Sequence, residues 1–448
     1  MHFLSTVSRL LWGSGLVGLL LGTGAYCLLR DKCAPLRSLR LLFDHRKRSG
    51  RRAHSPFEAC MTSLAAAMGT GNIAGVATAL TLGGAGAIFW MWAAALLGMG
   101  LIYAENVLAA HYRRDGRAGA AAYLRYGLQS PCLAGCFAVC CVAASFGMGN
   151  MTQSHAMAQT LQAAWGIPLP VTGAAAAVLT GAVILGGAKR IGKFAAAAVP
   201  AVTVVYLFAA GAVILRCRAQ LPEAFAAILR GAVGMDALTG GISGAAVQRA
   251  VTVGVRRGVF SNEAGLGSSG LLHGEADGDD PAFFGACGML EVFADTFVCC
   301  TATALAILCS GAADADGASL VLQAFRIGIG AAADWLLPPV IAVFALCTLV
   351  GWSYCGSSAL QSLTGGRWVT VYRLLFCAAV LLGAMLRLDA VWMLADIANA
   401  CMAYCNLPGI LLLYPLHNRE DTAYTTGKEA ISYNGHRFGR FLLHSKGS

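Results

Sequence analysis

Long apolar stretches separated by short polar loops recur along the whole chain. Apolar stretches of about 18 residues or more are typical of helices that cross a lipid bilayer. We predict eleven such helices, near residues 10–29, 57–82, 86–111, 133–164, 170–188, 194–215, 225–257, 283–310, 335–360, 369–386 and 390–416. No polar block between them is long enough to fold as a separate soluble domain.

Positive charge is concentrated in alternate loops. The segment between Arg30 and Pro56 carries nine Lys or Arg residues and two Asp residues. Basic loops near 113–125 and 189–193 and a basic tail fall on the same side of the predicted membrane. Because loops rich in Lys and Arg stay in the cytoplasm, we expect the N-terminus outside and the C-terminus in the cytoplasm.

One extra N-terminal helix therefore precedes two halves of five helices. We assign residues 1–56 to that helix and a basic loop, 57–218 to the first half, 219–418 to the second and 419–448 to a tail. Since five is odd, the two halves have opposite orientations, which is typical of secondary transporters. The predicted fold is an all-α polytopic membrane protein with a 5+5 inverted repeat.

Composition agrees with a membrane protein. The chain is 57% hydrophobic and 12% charged, with a mean hydropathy of +0.66, whereas soluble domains carry about 25% charged residues. The net charge of +10 lies in the loops, so it indicates topology rather than nucleic-acid binding. Most of the 17 cysteines lie inside apolar stretches, where cysteine is usually a small buried residue rather than a metal ligand.

One apolar stretch, Ala65 to Leu80 ("AAAMGTGNIAGVATAL"), carries three glycines, a threonine and an asparagine at its middle. Gly costs about 1 kcal/mol relative to Ala inside a helix. We therefore predict that the helix is interrupted there, so that N–H groups around Thr70, Gly71 and Asn72 can bind a substrate carboxylate. Close helix packing through small residues is the alternative explanation.

The corresponding interruption in the second half has two candidate positions. We favour "LTGGISGAA" (238–246), which would add Gly240, Gly241 and Ile242 to the substrate site. The competing stretch is "RGVFSNEAGLGSS" (257–269), for which a gate or loop-capping role is expected. An interruption there would draw Arg256 and Arg257 toward the bilayer centre, where cations are costly.

Several side chains inside the predicted helices have both functional and structural explanations. Asp295 is a candidate ion ligand or proton carrier, or a carboxylate paired with an Arg or an amide. His155 is a candidate proton carrier or an interior histidine with satisfied hydrogen bonds. Trp352 either lines the substrate site or packs between helices. Glu105 and Asp396 lie nearer helix ends, where pairing at a gate or snorkelling is expected.

Seven motifs closely resemble the alanine/glycine:cation symporter family, also called sodium:alanine symporters. They are "GTGNIAGVATAL" (69–80), "GGAGAIFWMWAAALLGMGLIYAENVLAAHYR" (83–113), "GNMTQ" (149–153), "RGVFSNEAGLGSS" (257–269), "FADT" (293–296), "TLVGWSYCG" (348–356) and "LADIANACM" (394–402). The resemblance implies the leucine-transporter fold and Na⁺-driven uptake of small neutral amino acids across a bacterial or archaeal cytoplasmic membrane.

The resemblance also implies roles for particular residues. It places Thr70, Gly71 and Asn72 around the amino-acid carboxylate and Gln153 beside the polar groups of the substrate. It implies a sodium site formed by the main-chain carbonyls of Ala65 and Met68 and the hydroxyl of Thr348, with Cys347 beside them. Such hard oxygen ligands suit Na⁺.

The chain departs from the family pattern at five positions. Cys347 stands where a second hydroxyl is usual, His155 where Asn is expected, and Ile242 where an aromatic lid is usual. Cys355 and Ser357 replace an aromatic residue and a Glu. These departures bear on the identity of the ion and the size of the substrate.

We therefore predict a carrier that imports alanine, glycine or serine with Na⁺ by alternating access, with no cofactor and no obligate protein partner. A proton-coupled carrier of the same fold, using His155 or Asp295, is the main alternative. A passive channel is less favoured, because interrupted helices in inverted halves are typical of carriers. No nucleophile–histidine–acid set indicates an enzyme.

Overall fold

The computed structural model describes residues 2–30, 56–114, 117–234, 243–273, 281–313, 315–386 and 389–425. Helices of the first part are α1 (His2–Leu11), α2 (Ser14–Arg30), α3 (Pro56–Ala67), α4 (Ala74–Gly83), α5 (Gly86–His111), α6 (Gly119–Ala122), α7 (Pro131–Phe146), α8 (Thr152–Trp165), α9 (Leu169–Ile184) and α10 (Gly187–Arg216). Those of the second part are α11 (Leu221–Val233), α12 (Ser243–Asn262), α13 (Ser269–His273), α14 (Pro281–Val292), α15 (Thr301–Ser310), α16 (Gly317–Ile329), α17 (Ala332–Thr364), α18 (Val369–Met385) and α19 (Asp389–Thr425).

The described residues contain seven helices long and apolar enough to cross a membrane, and the bent pair α3–α4 makes an eighth. Three shorter apolar helices, α9, α16 and α18, add to this set. The protein is therefore an all-helical, multi-pass membrane protein, as the hydropathy predicts. The count of eleven spanning helices and the inverted repeat remain predictions.

Within the described residues, three segments are wound as π-helix. Tyr123–Gly127 follows α6, Gly147–Met151 joins α7 to α8, and Phe293–Cys300 joins α14 to α15. A π-helical turn widens the helix and frees main-chain groups, and such turns are frequent at functional sites. The hydropathy of the sequence does not predict these π-helical segments. Two of them lie inside the predicted spans 133–164 and 283–310, which are helical throughout.

The beginning of the second half differs from the predicted single helix at 225–257. Two helices, α11 and α12, cover it, and residues 235–242 between them lie outside the described part. The predicted site residues Gly240, Gly241 and Ile242 therefore lie outside the described part. The basic loop at 31–55 and the tail from 426 lie outside it as well. Helix α16 occupies a segment for which we predicted no helix.

Small residues allow the helices around α3 to approach closely. A Cβ atom on Gly351 of α17 would lie 2.7 Å from the Cα of Ala66 on α3, so only Gly permits this contact. Close contact through small residues is the main source of helix association where lipid replaces water. The resulting packing brings α17 beside the end of α3.

Candidate functional site

The predicted interruption of the span at 57–82 is confirmed. Helix α3 ends at Ala67, a short 3₁₀ turn covers Thr70–Asn72, and α4 begins at Ala74. The two parts of the span are bent by 47° relative to each other. The turn is buried, so its polar groups must find partners within the protein.

The glycines of the turn permit close contacts. A Cβ atom on Gly69 would overlap the hydroxyl of Thr348 and lie 3.0 Å from the Gln153 side-chain oxygen. A Cβ atom on Gly71 would lie 3.3 Å from the Cα of Ser261. The Gly69 N–H donates to Asn72 Oδ1 (3.0 Å), which fixes the turn locally.

Gln153 binds one side of this turn. Its Oε1 accepts hydrogen bonds from the main-chain N–H of Thr70 (3.0 Å) and from the Thr70 hydroxyl (2.8 Å). Its Nε2 donates to the carbonyl of Met148 (3.0 Å), which belongs to the π-helical segment before α8. The wide turn thus supplies the acceptor that orients Gln153 toward Thr70.

Asp295 binds the other side of the turn. Its carboxylate accepts hydrogen bonds from Asn72 Nδ2 (2.5 Å), Ser261 Oγ (3.0 Å) and Thr296 Oγ1 (2.8 Å). Asp295 is completely buried, and no Lys, Arg or His in the described ranges forms an ion pair with it. A buried carboxylate without a cation is costly in a membrane protein and marks a candidate site for a cation or a proton.

Thr348 connects α17 to the end of α3. Its hydroxyl donates to the main-chain carbonyl of Ala65 over 3.3 Å. Met68 and Cys347 are buried in one apolar cluster with Ala65. The structure therefore brings Thr348 into contact with Ala65 and buries Met68 and Cys347 in the same apolar cluster as Ala65.

A second non-helical stretch, residues 263–268, separates α12 from α13. It is buried, and Asn262 Oδ1 caps it by accepting the main-chain N–H of Ala264 (3.1 Å). This is the position that we disfavoured because of the two preceding arginines. It lies beside the first interruption, since Ser261 faces Gly71.

Both arginines have partners within the protein. Arg256 forms an ion pair with Asp396 of α19. The Arg257 guanidinium lies 5.1 Å from the ring centre of Trp392 and 5.7 Å from that of Phe260. Cation–π contacts of this kind stabilise a guanidinium away from water.

Two further candidates lie near Gln153. Trp352 is fully buried and donates from Nε1 to Glu263 Oε1 (2.6 Å). Gly149 makes room for it, because a Cβ atom there would overlap the Trp352 side chain. His155 is half-buried on α8, two residues after Gln153.

We did not single out Ser261, Thr296 or Thr303. The Thr303 hydroxyl donates to the carbonyl of Asn72 over 2.7 Å, so all three residues contact the turn or Asp295. Hydroxyl residues near an acid in an apolar stretch, as in "FADTFVCCTATA", are the signal that indicates Thr296 and Thr303.

Comparisons with known proteins indicate the family of this chain. A family model described as "Sodium:alanine symporter family" matches residues 1–436. The "Sodium/alanine symporter AgcS" of Methanococcus maripaludis is 38% identical over 91% of this chain and 94% of its own length. The "Probable sodium/glutamine symporter GlnT" of Bacillus subtilis is 35% identical over 96% of this chain and 91% of its own.

The overall architecture also matches a solved transporter. A crystal structure of a manganese transporter mutant from Eremococcus coleocola superimposes with a TM-score of 0.52. It covers 82% of this chain and 80% of that chain, at 14% sequence identity. At so low an identity the similarity concerns the fold alone.

Proposed function

Because this chain belongs to the sodium:alanine symporter family, we propose that it imports small neutral amino acids together with Na⁺ by alternating access. Alanine and glycine are the proposed substrates, with serine as a third. The observation that carries the proposal is the buried, interrupted span α3–α4, whose polar turn lies between Gln153 and Asp295.

The amino-acid carboxylate binds at the turn formed by Thr70, Gly71 and Asn72. Two donors of Thr70, its N–H and its hydroxyl, converge on the single oxygen Oε1 of Gln153. A substrate carboxylate oxygen can replace that amide oxygen, and the N-terminal end of α4 favours its negative charge. Gln153 then turns its amide toward the substrate.

The side chain of the substrate lies toward Trp352. Gly240, Gly241 and Ile242, which are outside the described residues, stay predicted members of the substrate site. Gly69 and Gly71 bring the main chain within contact of Thr348 and Ser261, which leaves little free volume. We therefore propose that alanine is carried better than larger amino acids, such as glutamine.

Sodium binds where α3 ends against α17. The ligands are the carbonyls of Ala65 and Met68 and the hydroxyl of Thr348, with Cys347 beside them. Support comes from the 3.3 Å contact between Thr348 Oγ1 and the Ala65 carbonyl, which brings two of these oxygens together. Bound Na⁺ would hold α3 to α17 and thereby order the turn that receives the substrate.

A proton-coupled carrier is the second candidate function. Its support is the buried Asp295, which accepts hydrogen bonds from Asn72, Ser261 and Thr296 but forms no ion pair with a Lys, Arg or His within the described ranges. In this alternative, Asp295, or His155 on α8, takes up the proton that drives transport.

The proposed topology is a 5+5 inverted repeat after one extra helix, with eleven spanning helices, an outer N-terminus and a cytoplasmic C-terminus. The adjacent interruptions at 68–73 and 263–268 support it, because such repeats place two broken helices at one site.

Uptake by the purified protein in liposomes tests the proposal. Radiolabelled alanine should accumulate under an inward Na⁺ gradient, and counterflow should be competed by glycine and serine. Uptake under a pH gradient without Na⁺ would favour the proton-coupled carrier. No Na⁺-dependent uptake of any small amino acid would contradict the proposed symport.

A further inference from the structure

Glu263 is the first residue after α12 and has an unusual backbone conformation. Its φ angle is +59°, in the left-handed region that side chains other than Gly, Asn and Asp rarely adopt. The residue is buried, and its conformation aims the carboxylate into the protein. Backbone strain of this kind persists only where surrounding contacts enforce it, and it is frequent at functional sites.

Both carboxylate oxygens of Glu263 accept short hydrogen bonds. Oε2 accepts from Ser268 Oγ over 2.6 Å, so Glu263 joins the two ends of the non-helical stretch 263–268. Oε1 accepts from Trp352 Nε1, also over 2.6 Å, and so joins this stretch to α17. Within the described ranges no Lys or Arg pairs with Glu263.

Trp352 lies one helical turn after Thr348 on α17. The same helix therefore contacts the end of α3 through Thr348 and the end of α12 through Trp352. Trp352 is buried and packs closely against Gly149, and its indole N–H joins α17 to Glu263. The stretch that Glu263 begins follows Ser261, which faces Gly71 of the substrate turn.

We propose that Glu263, through its hydrogen bond with Trp352, is a positioning residue that couples ion binding on α17 to the shape of the 263–268 stretch. This inference rests on the proposed sodium site at Ala65, Met68 and Thr348. Sodium fixes α17 against α3, Trp352 then fixes Glu263, and the 263–268 stretch closes against the substrate turn. Alanine affinity thereby depends on Na⁺.

The Na⁺ dependence of the alanine KM measures this coupling. Full-length protein in liposomes is assayed at low and at saturating Na⁺, and the ratio of the two KM values is compared between variants. Trp352→Phe removes the hydrogen bond, and Glu263→Gln replaces its carboxylate acceptor by an amide. We expect each change to lower the ratio of the alanine KM at low Na⁺ to that at saturating Na⁺, by about tenfold in Trp352→Phe. The double variant should show no further fall, because both changes remove one interaction.

Ser268→Ala is the matched control. It removes the second hydrogen bond of Glu263 and leaves the bond to Trp352 intact, so the KM ratio should fall by much less than in Trp352→Phe. Trp335→Phe, at an exposed Trp on the same helix, controls for the loss of an indole. If Glu263 only closes the loop, Ser268→Ala will reproduce the effect of Glu263→Gln.

Several results would overturn the proposal. An unchanged KM ratio in Trp352→Phe is one, and it remains informative even when Glu263→Gln is poorly folded. An equal effect of Ser268→Ala is another. If the wild type takes up alanine without Na⁺ dependence, the proposed symport is wrong. If the wild type depends on Na⁺ and Trp352→Phe shows the same dependence, only the role of Glu263 is wrong.

Discussion

The amide of Asn72 donates to the carboxylate of Asp295 over 2.5 Å, although 223 residues separate them in the chain. This bond joins the turn of the interrupted span to the π-helical segment between α14 and α15. Ser261 at the end of α12 donates to the same carboxylate. One buried acid therefore contacts three elements around the proposed substrate position.

Asp295→Asn keeps the size of this side chain and removes its charge. If the carboxylate attracts the coupling cation, the Na⁺ concentration for half-maximal alanine uptake should rise by about tenfold, as expected for a lost charged interaction. Uptake titrated with Na⁺ in liposomes measures this value. Glu223→Gln, at an exposed acid on α11, is the control, and an unchanged Na⁺ requirement in Asp295→Asn would refute the role.

Gly69 and Gly75 offer a matched pair on the interrupted span. A Cβ atom on Gly69 would overlap Thr348, whereas no atom lies within 4 Å of a Cβ atom on Gly75. We expect Gly69→Ala to abolish most alanine uptake and to destabilise the protein by about 1–3 kcal/mol. Gly75→Ala should retain uptake, with a gain of up to about 1 kcal/mol from helix propensity. Equal uptake by the two variants would contradict the close packing.

The interruption at Gly69–Asn72 was predictable because its cause is local: glycines and an amide are unfavourable inside an apolar helix. Asp295 was predictable as an acid in an apolar stretch. The contact of Ser261 with Asp295 was not predictable, because it depends on how α12 packs against the π-helical segment Phe293–Cys300.

The stretch at 263–268 shows a different limit. Counting the cost of Arg256 and Arg257 disfavoured an interruption there, but that cost depends on partners far away in the sequence. Asp396 pairs with Arg256, and Trp392 stacks on Arg257. The cost of an unpaired arginine can be estimated from the sequence of its own helix. The residues of another helix that compensate this cost cannot be identified from that sequence.

Thr348→Val removes a hydroxyl and keeps the shape of the side chain. Because this hydroxyl lies against the Ala65 carbonyl, its loss should raise the half-maximal Na⁺ concentration by about tenfold while the alanine KM at saturating Na⁺ changes little. Thr348→Ser retains the oxygen and should stay near the wild type. If Thr348→Val and Thr348→Ser have the same half-maximal Na⁺ concentration, Thr348 is not a ligand of the sodium site.

The ion pair between Arg256 and Asp396 should stabilise the protein only while both charges are present. Asp396 is almost fully buried, whereas Arg256 is about one-fifth exposed (side-chain exposures 3% and 21%). Asp396→Asn leaves a largely buried guanidinium without its carboxylate, for which we expect a loss of about 3 kcal/mol in the free energy of unfolding. Thermal unfolding of the purified protein in detergent measures the change.

The control and the double variant decide whether charge is the cause. Asp334 forms a more exposed ion pair with Arg326, so Asp334→Asn should cost less than about 1 kcal/mol. Adding Arg256→Met to Asp396→Asn should restore part of the lost stability, because the unpaired cation is removed. If the double variant is less stable than Asp396→Asn alone, packing rather than the uncompensated charge explains the loss. The arginine would then contribute to this position mainly through its aliphatic chain and its contact with Trp12.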